Sequence, residues 1–234
     1  MSSTCRSTSM IGGMDLTYSA RFYGLTLDKD QQTFVNKIRS KETIAVFCNA
    51  AAGTGKTTIA LGAGNMLYHK GFYDGIVYIF SPVQEHRQGF IPGSPEEKSL
   101  PYLTPLLDAM DALKIDRKNL TQVYVSHGGN QKQFKPYIQA VPHTYLRGTN
   151  LSKKVVIIDE CQNFTLDDFQ KTLTRLHDDC KIICIGHSGQ IDLQDKKDSA
   201  FARYLHAAKS EDFIEECTLT KNYRGKFSQW ADSV

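Results

Sequence analysis

The sequence lacks the features that mark several large classes of protein. It has no apolar run long enough to cross a bilayer and no signal-peptide-like stretch near its start, so we expect a cytoplasmic protein without a membrane partner. Its six cysteines form no Cys-x-x-Cys pair and have no histidine at zinc-finger spacing, which excludes the common structural zinc motifs. We therefore expect reduced, structural thiols and a reducing compartment.

An excess of charge of one sign is also missing. The formal net charge is +3, from 28 Lys and Arg against 25 Asp and Glu, so any affinity for nucleic acid must come from a local patch. Apolar residues make up 41% of the 234 residues, enough to bury a sizeable core. With no internal repeat and no charged linker, we expect a flexible segment over 1–26, one domain over 27–225 and a tail over 226–234.

Short apolar runs alternate with stretches of helical periodicity. The runs are 43–49, 75–80, 154–159 and 181–186, with weaker candidates at 122–126 and around residues 217 to 219. Near-continuous apolar runs are typical of strands that are covered on both faces. The alternation predicts an α/β fold with a mainly parallel sheet and helices on both faces, in which ligands bind at the carboxyl ends of the strands.

Two of the helices have readable ends. The pattern over 56–71 predicts a helix that Gly71 closes. Over 165–176, Thr165 is placed to cap a helix, and Asp168 three residues later gives an acidic variant of the capping box.

The stretch AAAGTGKTT, residues 50 to 58, follows a predicted strand and opens a predicted helix. In this context Gly53 and Gly55 allow consecutive amides to point at a phosphate chain. Lys56 would bridge the outer phosphates, and the Thr57 hydroxyl would hold Mg²⁺. The nucleotide-binding set is completed by Ala52, Thr54 and Thr58. A glycine-rich turn without a ligand is the alternative, which the flanking strand and helix disfavour.

A second motif, which is acidic, lies at the end of the apolar run at 154–159. Asp159 would lie at the carboxyl end of a strand, where it can bind the Mg²⁺ shell, and Glu160 can polarise an attacking water. Kinases acting on small molecules usually lack the second carboxylate, so the pair favours a hydrolase. Two surface acids at a strand end would be the plainer interpretation if the phosphate loop were absent.

Three polar residues elsewhere complete the predicted site. Gln190 follows the strand at 181–186 and could sense the terminal phosphate, while Arg224 could stabilise charge developing on it. The Gln31 amide could pair with a donor and an acceptor on an adenine edge; alone it would be read as a solvated surface residue.

The order Gln, phosphate loop, Asp-Glu, Gln, Arg resembles a superfamily-one helicase core, and the chain is more specifically similar to the PhoH-like ATPases of bacteria and their phages. The stretches that carry the resemblance are GTGKT, GFIPGSPEEKSLPYLTPLLDAM (89–110), YLRGTNL (145–151), DECQNFT (159–165), LTRL (173–176) and GHSGQIDL (186–193). It covers roughly residues 27 to 225 and implies a single RecA-like domain that binds and hydrolyses ATP with Mg²⁺. The corresponding residues are 53–58, Asp159, Glu160 and Gln190. A phage-encoded member would act in the host cytoplasm.

The sequence departs from the family pattern at a few positions. His187 stands where the family usually has Asp. With histidine there, a contact near the Mg²⁺ shell is either lost or made pH-sensitive. The alternative is that His187 is only a packed replacement. Ser81 stands where the family tends to have Arg, and Arg87 is the candidate that would compensate. LTKNYRG (219–225) is closer to the helicase version, which favours a motor-like role for Arg224.

A basic stretch between residues 111 and 150 predicts a nucleic-acid surface, for which we single out Lys132, Lys135 and Arg147. The stretch also contains Lys114, Arg117, Lys118, Phe134, Tyr137 and Tyr145, against Asp111 and Asp116. Basic groups with interleaved aromatic rings suit sequence-tolerant binding of single strands. The alternative is a solvated face with ordinary core tyrosines.

Nine residues follow Gly225, so a neighbouring surface for a motor cycle would have to come from another copy, in a homo-oligomeric ring, possibly hexameric. The leading hypothesis is a Mg²⁺-dependent ATPase acting on single-stranded nucleic acid, with RNA favoured over DNA. The alternative is an ATP-gated protein-binding module whose hydrolysis only resets the bound state. A small-molecule kinase is disfavoured by Glu160 and Gln190.

Overall fold

The computed structural model describes residues 22–82, 95–122, 135–146, 148–193 and 195–232. Its strands are β1 (Ala45–Ala50), β2 (Ile76–Phe80), β3 (Leu120–Gln122), β4 (Ile138–Pro142), β5 (Val155–Ile158), β6 (Lys181–Gly186) and β7 (Ile214–Leu219). Its α-helices are α1 (Lys29–Arg39), α2 (Lys56–His69), α3 (Pro95–Ala112), α4 (Leu166–Leu173), α5 (Phe201–Ala208) and α6 (Lys226–Asp232).

The strands form one seven-stranded sheet in the order β3-β4-β2-β5-β6-β1-β7, and every neighbouring pair is parallel. This confirms the predicted α/β class. The four apolar runs correspond to β1, β2, β5 and β6, and the weaker candidate around residue 217 is the end of β7. Of the weaker candidate at 122–126, only Gln122 lies in the described residues, as the end of β3.

The core lies on both faces of the sheet, as the sequence predicts. On one face α1, α2 and α3 bury Phe34, Leu61 and Leu103 against the strands. On the other face α4 and α5 bury Phe169 and Phe201, whose rings pack against Phe47 of β1. Because both faces are covered, the central strands β2 and β5 are apolar and buried along their whole length rather than alternating.

The two predicted helix ends are confirmed, with small shifts in length. Gly71, at φ +74°, ends α2, and its amide donates to the Tyr68 carbonyl over 2.8 Å. Thr165 caps α4 by accepting from the Asp168 amide at 3.2 Å. α4 ends at Leu173, three residues before the predicted pattern does.

Several of the described elements were not predicted individually, among them β4 and α1. β4 lies inside the stretch that we assigned to nucleic-acid binding. The strand was missed because the exposed Gln139 and the terminal Pro142 interrupt its apolar pattern. α1 begins with a capping box, in which the Asp28 side chain accepts from the Gln31 amide and the Gln31 side chain accepts from the Asp28 amide. The spacing Asp-x-x-Gln at 28–31 carried this signal.

Packed or helical residues lie outside the predicted domain range of 27–225 at both ends. Phe22 is only 9% exposed and packs against Gly62 of α2. The Tyr23 hydroxyl donates to the Gly62 carbonyl and accepts from Asn65 Nδ2. Phe22 and Tyr23, which the sequence analysis placed in a flexible segment, thus pack against α2, and residues 1–21 lie outside the described part. At the other end, the predicted tail contains α6.

Two further properties of the described residues concern their helices and their cysteines. None of their helices combines the length and apolar character that crossing a bilayer requires. The cysteines in the described ranges, at positions 48, 161, 180, 184 and 217, are buried free thiols.

We expect Phe22→Ala to lower the free energy of unfolding by about 2–4 kcal/mol, because a large ring buried against α2 is removed. Urea denaturation measures the change. The matched control is Phe72→Ala, since Phe72 is 54% exposed, and it should change stability by about 0.5 kcal/mol or less. Equal effects of the two substitutions would contradict the packing of Phe22 against α2.

Candidate active site

The candidate site lies at the carboxyl ends of β1 and β5, where the loop from β1 leads into α2. This loop turns through two glycines with positive φ, Gly53 at +75° and Gly55 at +81°. Gly55 is the N-cap of α2, and its carbonyl accepts from the Ile59 amide over 2.9 Å. The N-terminus of α2 therefore faces the loop with unpaired amides, an arrangement that attracts anions.

A cavity of about 670 Å³ opens over this loop. It is lined by the predicted residues Gln31, Ala52, Gly53, Gly55, Lys56, Thr57, Thr58, Glu160, Gln190 and Arg224, together with residues of α3 and of 25–27. Thr54 lies behind the loop, 1% exposed, with its hydroxyl bonded to the Ala51 carbonyl. Asp159 lines an adjoining cavity of about 170 Å³ that shares Glu160 with the main one. The main cavity, at about 670 Å³, has a volume that suits a nucleotide-sized ligand.

Asp159 is fully buried at the end of β5, and its carboxylate is bonded on three sides. Oδ2 accepts from Tyr78 OH at 2.7 Å and from Thr57 Oγ1 at 3.0 Å, and Oδ1 accepts from the Glu160 amide at 2.8 Å. Burial first, and then the charge of Glu160, raise the pKa of Asp159 to about 6. Burial also raises the pKa of Tyr78 well above its usual value, so Tyr78 is a neutral donor here.

The oxygen atoms of Asp159 and its neighbour Thr57 suit the coordination of a magnesium ion. A hydroxyl and a carboxylate 3.0 Å apart, Thr57 and Asp159, are the two protein ligands that a phosphate-loop site supplies, with phosphate oxygens and water for the rest. In the described residues no cluster of three or more His, Cys, Asp or Glu side chains forms a metal cage. The donor set therefore suits a metal that arrives with a phosphate ligand.

Glu160 has an unusual backbone, with φ 50° and ψ 45°. A non-glycine residue in the left-handed region costs roughly 1 kcal/mol or more, and such residues concentrate at functional sites. Its carboxylate lies 3.8 Å from Lys56 Nζ and accepts from Gln162 Nε2 at 2.5 Å. Gln162, only 1% exposed, also accepts from the His187 amide at 2.9 Å. The orientation of Glu160 is thus set from β6 as well as from β5.

Gln31 lines the cavity, but its amide is bonded within the protein. Nε2 donates to the Thr54 carbonyl at 3.0 Å, and Oε1 accepts from the Asp28 amide and lies 3.4 Å from Tyr223 OH, whose proton is donated to Asp28 Oδ2. An adenine edge needs both a donor and an acceptor, and here one Nε2 proton is used and Oε1 is flanked by Asp28 and Tyr223. Pairing with adenine therefore stays a prediction, and it requires Oε1 to be freed from these neighbours.

The turn that contains Arg224 packs against the phosphate loop. The Tyr223 amide donates to the Gly53 carbonyl at 2.8 Å, and Tyr223 OH donates to Asp28 Oδ2 at 2.8 Å. Arg224 lines the same cavity as Lys56 and Glu160. The structure thus brings Arg224 to the phosphate loop of its own domain.

The departures from the family pattern lie beside the site. His187 does not line the main cavity; its Nδ1 is buried and makes no hydrogen bond with the described residues. Its ring faces Gly189, where a Cβ would lie 3.2 Å from it, which agrees with a packed replacement for the family Asp. The Ser81 hydroxyl donates to the Asn163 carbonyl at 3.2 Å, and Arg87 lies outside the described residues.

Of the predicted nucleic-acid residues, only Lys135 lies in the described ranges, exposed before β4; Lys132 and Arg147 lie outside them. Two other basic side chains of this stretch form ion pairs with its acidic residues: Arg117 lies 2.5 Å from Asp111, and Lys118 lies 2.9 Å from Asp116. The Tyr137 ring stacks on Tyr68 with centroids 4.0 Å apart, and its hydroxyl donates to Asn65. Arg117 and Lys118 thus have acidic partners among the described residues, and Tyr137 is a packed ring rather than an open platform.

Sequence reasoning missed Tyr78, Gln162 and Asn222 as supports of the site. Tyr78 lies within an apolar strand pattern, and nothing in that pattern separates a buried tyrosine that donates to Asp159 from a core ring. Gln162 stands in the stretch DECQNFT, so its position was in view but its contacts were not. Asn222 next to Arg224 is a common turn residue, and its role depends on a tertiary contact.

The parallel sheet, the glycine loop and the paired Asp159 and Thr57 define an α/β P-loop protein. The sequence profile of the family described as PhoH-like protein matches residues 26–231. The chain therefore belongs to the PhoH-like protein family.

Curated relatives agree with this assignment. Protein PhoH2 of Bacillus subtilis (strain 168) is 30% identical over 216 residues, which are 89% of this chain and 47% of the relative. A PhoH-like protein of the same organism is 35% identical over 181 residues, 76% of this chain and 53% of the relative. Protein PhoH of Escherichia coli (strain K12) is 32% identical over 171 residues, 72% and 45% of the two chains. The chain thus spans about half the length of these relatives.

Solved structures show weaker likeness. The arterivirus nonstructural protein 10 (helicase) gives a TM-score of 0.43 at 14% identity, covering 79% of this chain and 37% of that one. The Sulfolobus solfataricus SWI2/SNF2 ATPase core in complex with dsDNA gives 0.43 at 13% identity, covering 80% and 43%.

We expect Gln162→Leu to lower the free energy of unfolding by about 1–3 kcal/mol, because the buried His187 amide would lose its acceptor. Urea denaturation gives the value. Gln170→Leu on the exposed side of α4 is the control and should be nearly neutral. A Gln162→Leu variant as stable as the wild type would show that the contact does not hold the site together.

Proposed function

We propose that the protein is a Mg²⁺-dependent ATP hydrolase. The observation that carries the proposal is the convergence of Lys56, Thr57 and Glu160 on one cavity, with buried Asp159 bonded to Thr57 at 3.0 Å. Membership of the PhoH-like family supports it. A glycine-rich turn without a ligand would have no reason to carry a buried carboxylate beside its first helical hydroxyl, since such burial costs free energy.

Each residue has a role that follows from its position. The amides around Gly53 and Gly55 hold the phosphates, and Lys56 binds the outer phosphate oxygens as a point charge. Glu160, fixed by Gln162, orients a water toward the terminal phosphate and accepts its proton. Arg224 stabilises negative charge on that phosphate, and Gln190 contacts the terminal group.

Thr57 and Asp159 would hold the magnesium ion. When bound, Mg²⁺ neutralises charge on the outer phosphate oxygens. The Thr57–Asp159 bond keeps the two ligands in place beforehand, so that little reorganisation is needed on binding.

The finer part of the proposal couples turnover to single-stranded nucleic acid, RNA rather than DNA, in a homo-oligomer. Its support is the exposed Lys135 at the head of β4 and the basic segment around it. An ATPase assay with and without single-stranded RNA, single-stranded DNA and duplex tests the coupling, with stimulation by RNA as the expected result. Light scattering with ATP and RNA tests the oligomer, and a monomer under all conditions would contradict it.

The second candidate is an ATP-gated module that binds a protein partner. The exposed rings of α6 favour it: Phe227 is 79% and Trp230 is 61% exposed, with centroids 5.6 Å apart. Large apolar side chains that lie together on a surface are typical of protein contacts. ATP turnover that no nucleic acid stimulates would favour this candidate over the first.

We expect Lys56→Ala to weaken ATP binding by about ten- to hundredfold, because a charged contact with the phosphates is lost. Equilibrium binding of a fluorescent ATP analogue measures the effect. Lys70→Ala, at the far exposed end of α2, is the control and should leave affinity unchanged. Equal affinities for wild type and Lys56→Ala would remove the phosphate loop from the account.

We expect Glu160→Gln to bind ATP normally but to lower kcat about a hundredfold or more, since the amide can accept from Gln162 but cannot take a proton from water. Steady-state phosphate release and nucleotide affinity are measured together. Glu211→Gln, on an exposed turn, should behave as the wild type. Normal turnover in Glu160→Gln would exclude Glu160 as the base.

A further inference from the structure

The turn at residues 220–225 lies so close to the phosphate loop that only glycine fits between them. A Cβ on Gly53 would lie 2.7 Å from Asn222 Oδ1 and 2.8 Å from Arg224 Cγ. Gly53 also has φ +75°, which a side chain would strain. The loop and the turn are therefore in direct contact through backbone and short side-chain atoms.

Asn222 fixes the shape of this turn with both ends of its amide group. Oδ1 accepts from the Arg224 amide at 2.7 Å, so that the side chain closes a turn over its own backbone. Nδ2 donates to Ser228 Oγ at 3.0 Å, in the first turn of α6. Because both bonds are made, the amide has one orientation, and the direction in which the chain leaves Tyr223 is set.

The segment before Arg224 is also held by α1. Thr220 Oγ1 donates to Asp30 Oδ2 at 2.8 Å, and Tyr223 OH donates to Asp28 Oδ2 at 2.8 Å. With the Tyr223 amide on the Gly53 carbonyl, the turn is tied to two different elements of the same domain. Arg224 therefore has a defined backbone position relative to the phosphates before any second surface arrives.

We infer that Asn222 is a positioning residue for ATP hydrolysis, which acts through the Arg224 amide to hold the Arg224 side chain at the nucleotide cavity of its own domain. The inference rests on the proposed function. A displacement of about 1 Å at a group that acts on the reacting phosphate can cost roughly a hundredfold in rate. Loss of Asn222 frees the Arg224 backbone while leaving the phosphate-binding amides and Lys56 in place, so it acts on kcat more than on KM.

A double-mutant cycle on the full chain tests the inference. Asn222→Ala is expected to lower kcat about ten- to hundredfold with little change in KM for ATP. Arg224→Ala is expected to lower kcat about a thousandfold, and the double variant should be no slower than Arg224→Ala, because Asn222 acts through Arg224. Asn119→Ala is the control, since Asn119 also bonds its local backbone, its Nδ2 donating to the Asp116 carbonyl at 3.0 Å in an exposed turn away from the site.

Asn222→Ser keeps a short oxygen acceptor and should recover part of kcat, which also covers the case in which the alanine variant folds poorly. Losses that multiply in the double variant, or normal kcat in Asn222→Ala, would overturn the inference. Amide hydrogen exchange without nucleotide gives a second readout: residues 219–226 should exchange faster in Asn222→Ala, with β5 and β6 unchanged. If the wild type turns over no ATP, the proposed function fails by itself, and unchanged exchange over 219–226 would then overturn the positioning contact.

Discussion

The site depends on a carboxylate that is buried at the end of a central strand. Asp159 is completely buried, and a charge in such a place is stable only when donors surround it. Tyr78 OH, Thr57 Oγ1 and the Glu160 amide are those donors. They come from β2, from α2 and from the residue after Asp159, and the Thr57 bond joins the strand end that bears the acids to the helix that follows the phosphate loop.

The rest of the site is arranged around this junction. Glu160 adopts left-handed backbone directly after Asp159, which directs its side chain toward Lys56 and Gln162. The strained residue is held by Gln162, which is in turn fixed by the His187 amide. Electrostatic preorganisation of this kind, in which the groups are in place before the substrate binds, is usually the largest contribution to catalysis. The residues that hold the acids in place, Tyr78 and Gln162, are therefore as important to the geometry of the site as the acids themselves.

The sequence predicts the sheet well because strands buried on both faces have near-continuous apolar patterns, and it predicts the phosphate loop because its spacing leaves few alternatives. It fails at β4, where Gln139 and Pro142 break the pattern, and at Phe22, whose burial depends on a glycine forty residues away on α2. It also fails to foresee that the Gln31 amide is used inside the protein. Contacts between distant segments decide each of these cases, and no local pattern records them.

The arrangement also bears on how Arg224 works. In a chain that spans about half the length of its curated relatives, the arginine turn is tied to α1 and to the phosphate loop of the same domain. The Arg224 side chain thus lies at the cavity of its own domain, where the proposed hydrolysis would use its charge in cis.

Isothermal titration calorimetry with a non-hydrolysable ATP analogue tests the central claim most directly, with and without Mg²⁺, on the wild type and on Thr57→Ala. The account predicts one binding site per chain, an affinity that rises when Mg²⁺ is present, and loss of most of that rise in Thr57→Ala. Folded wild-type protein that takes up no analogue, or that binds it equally well with and without Mg²⁺, would contradict the account.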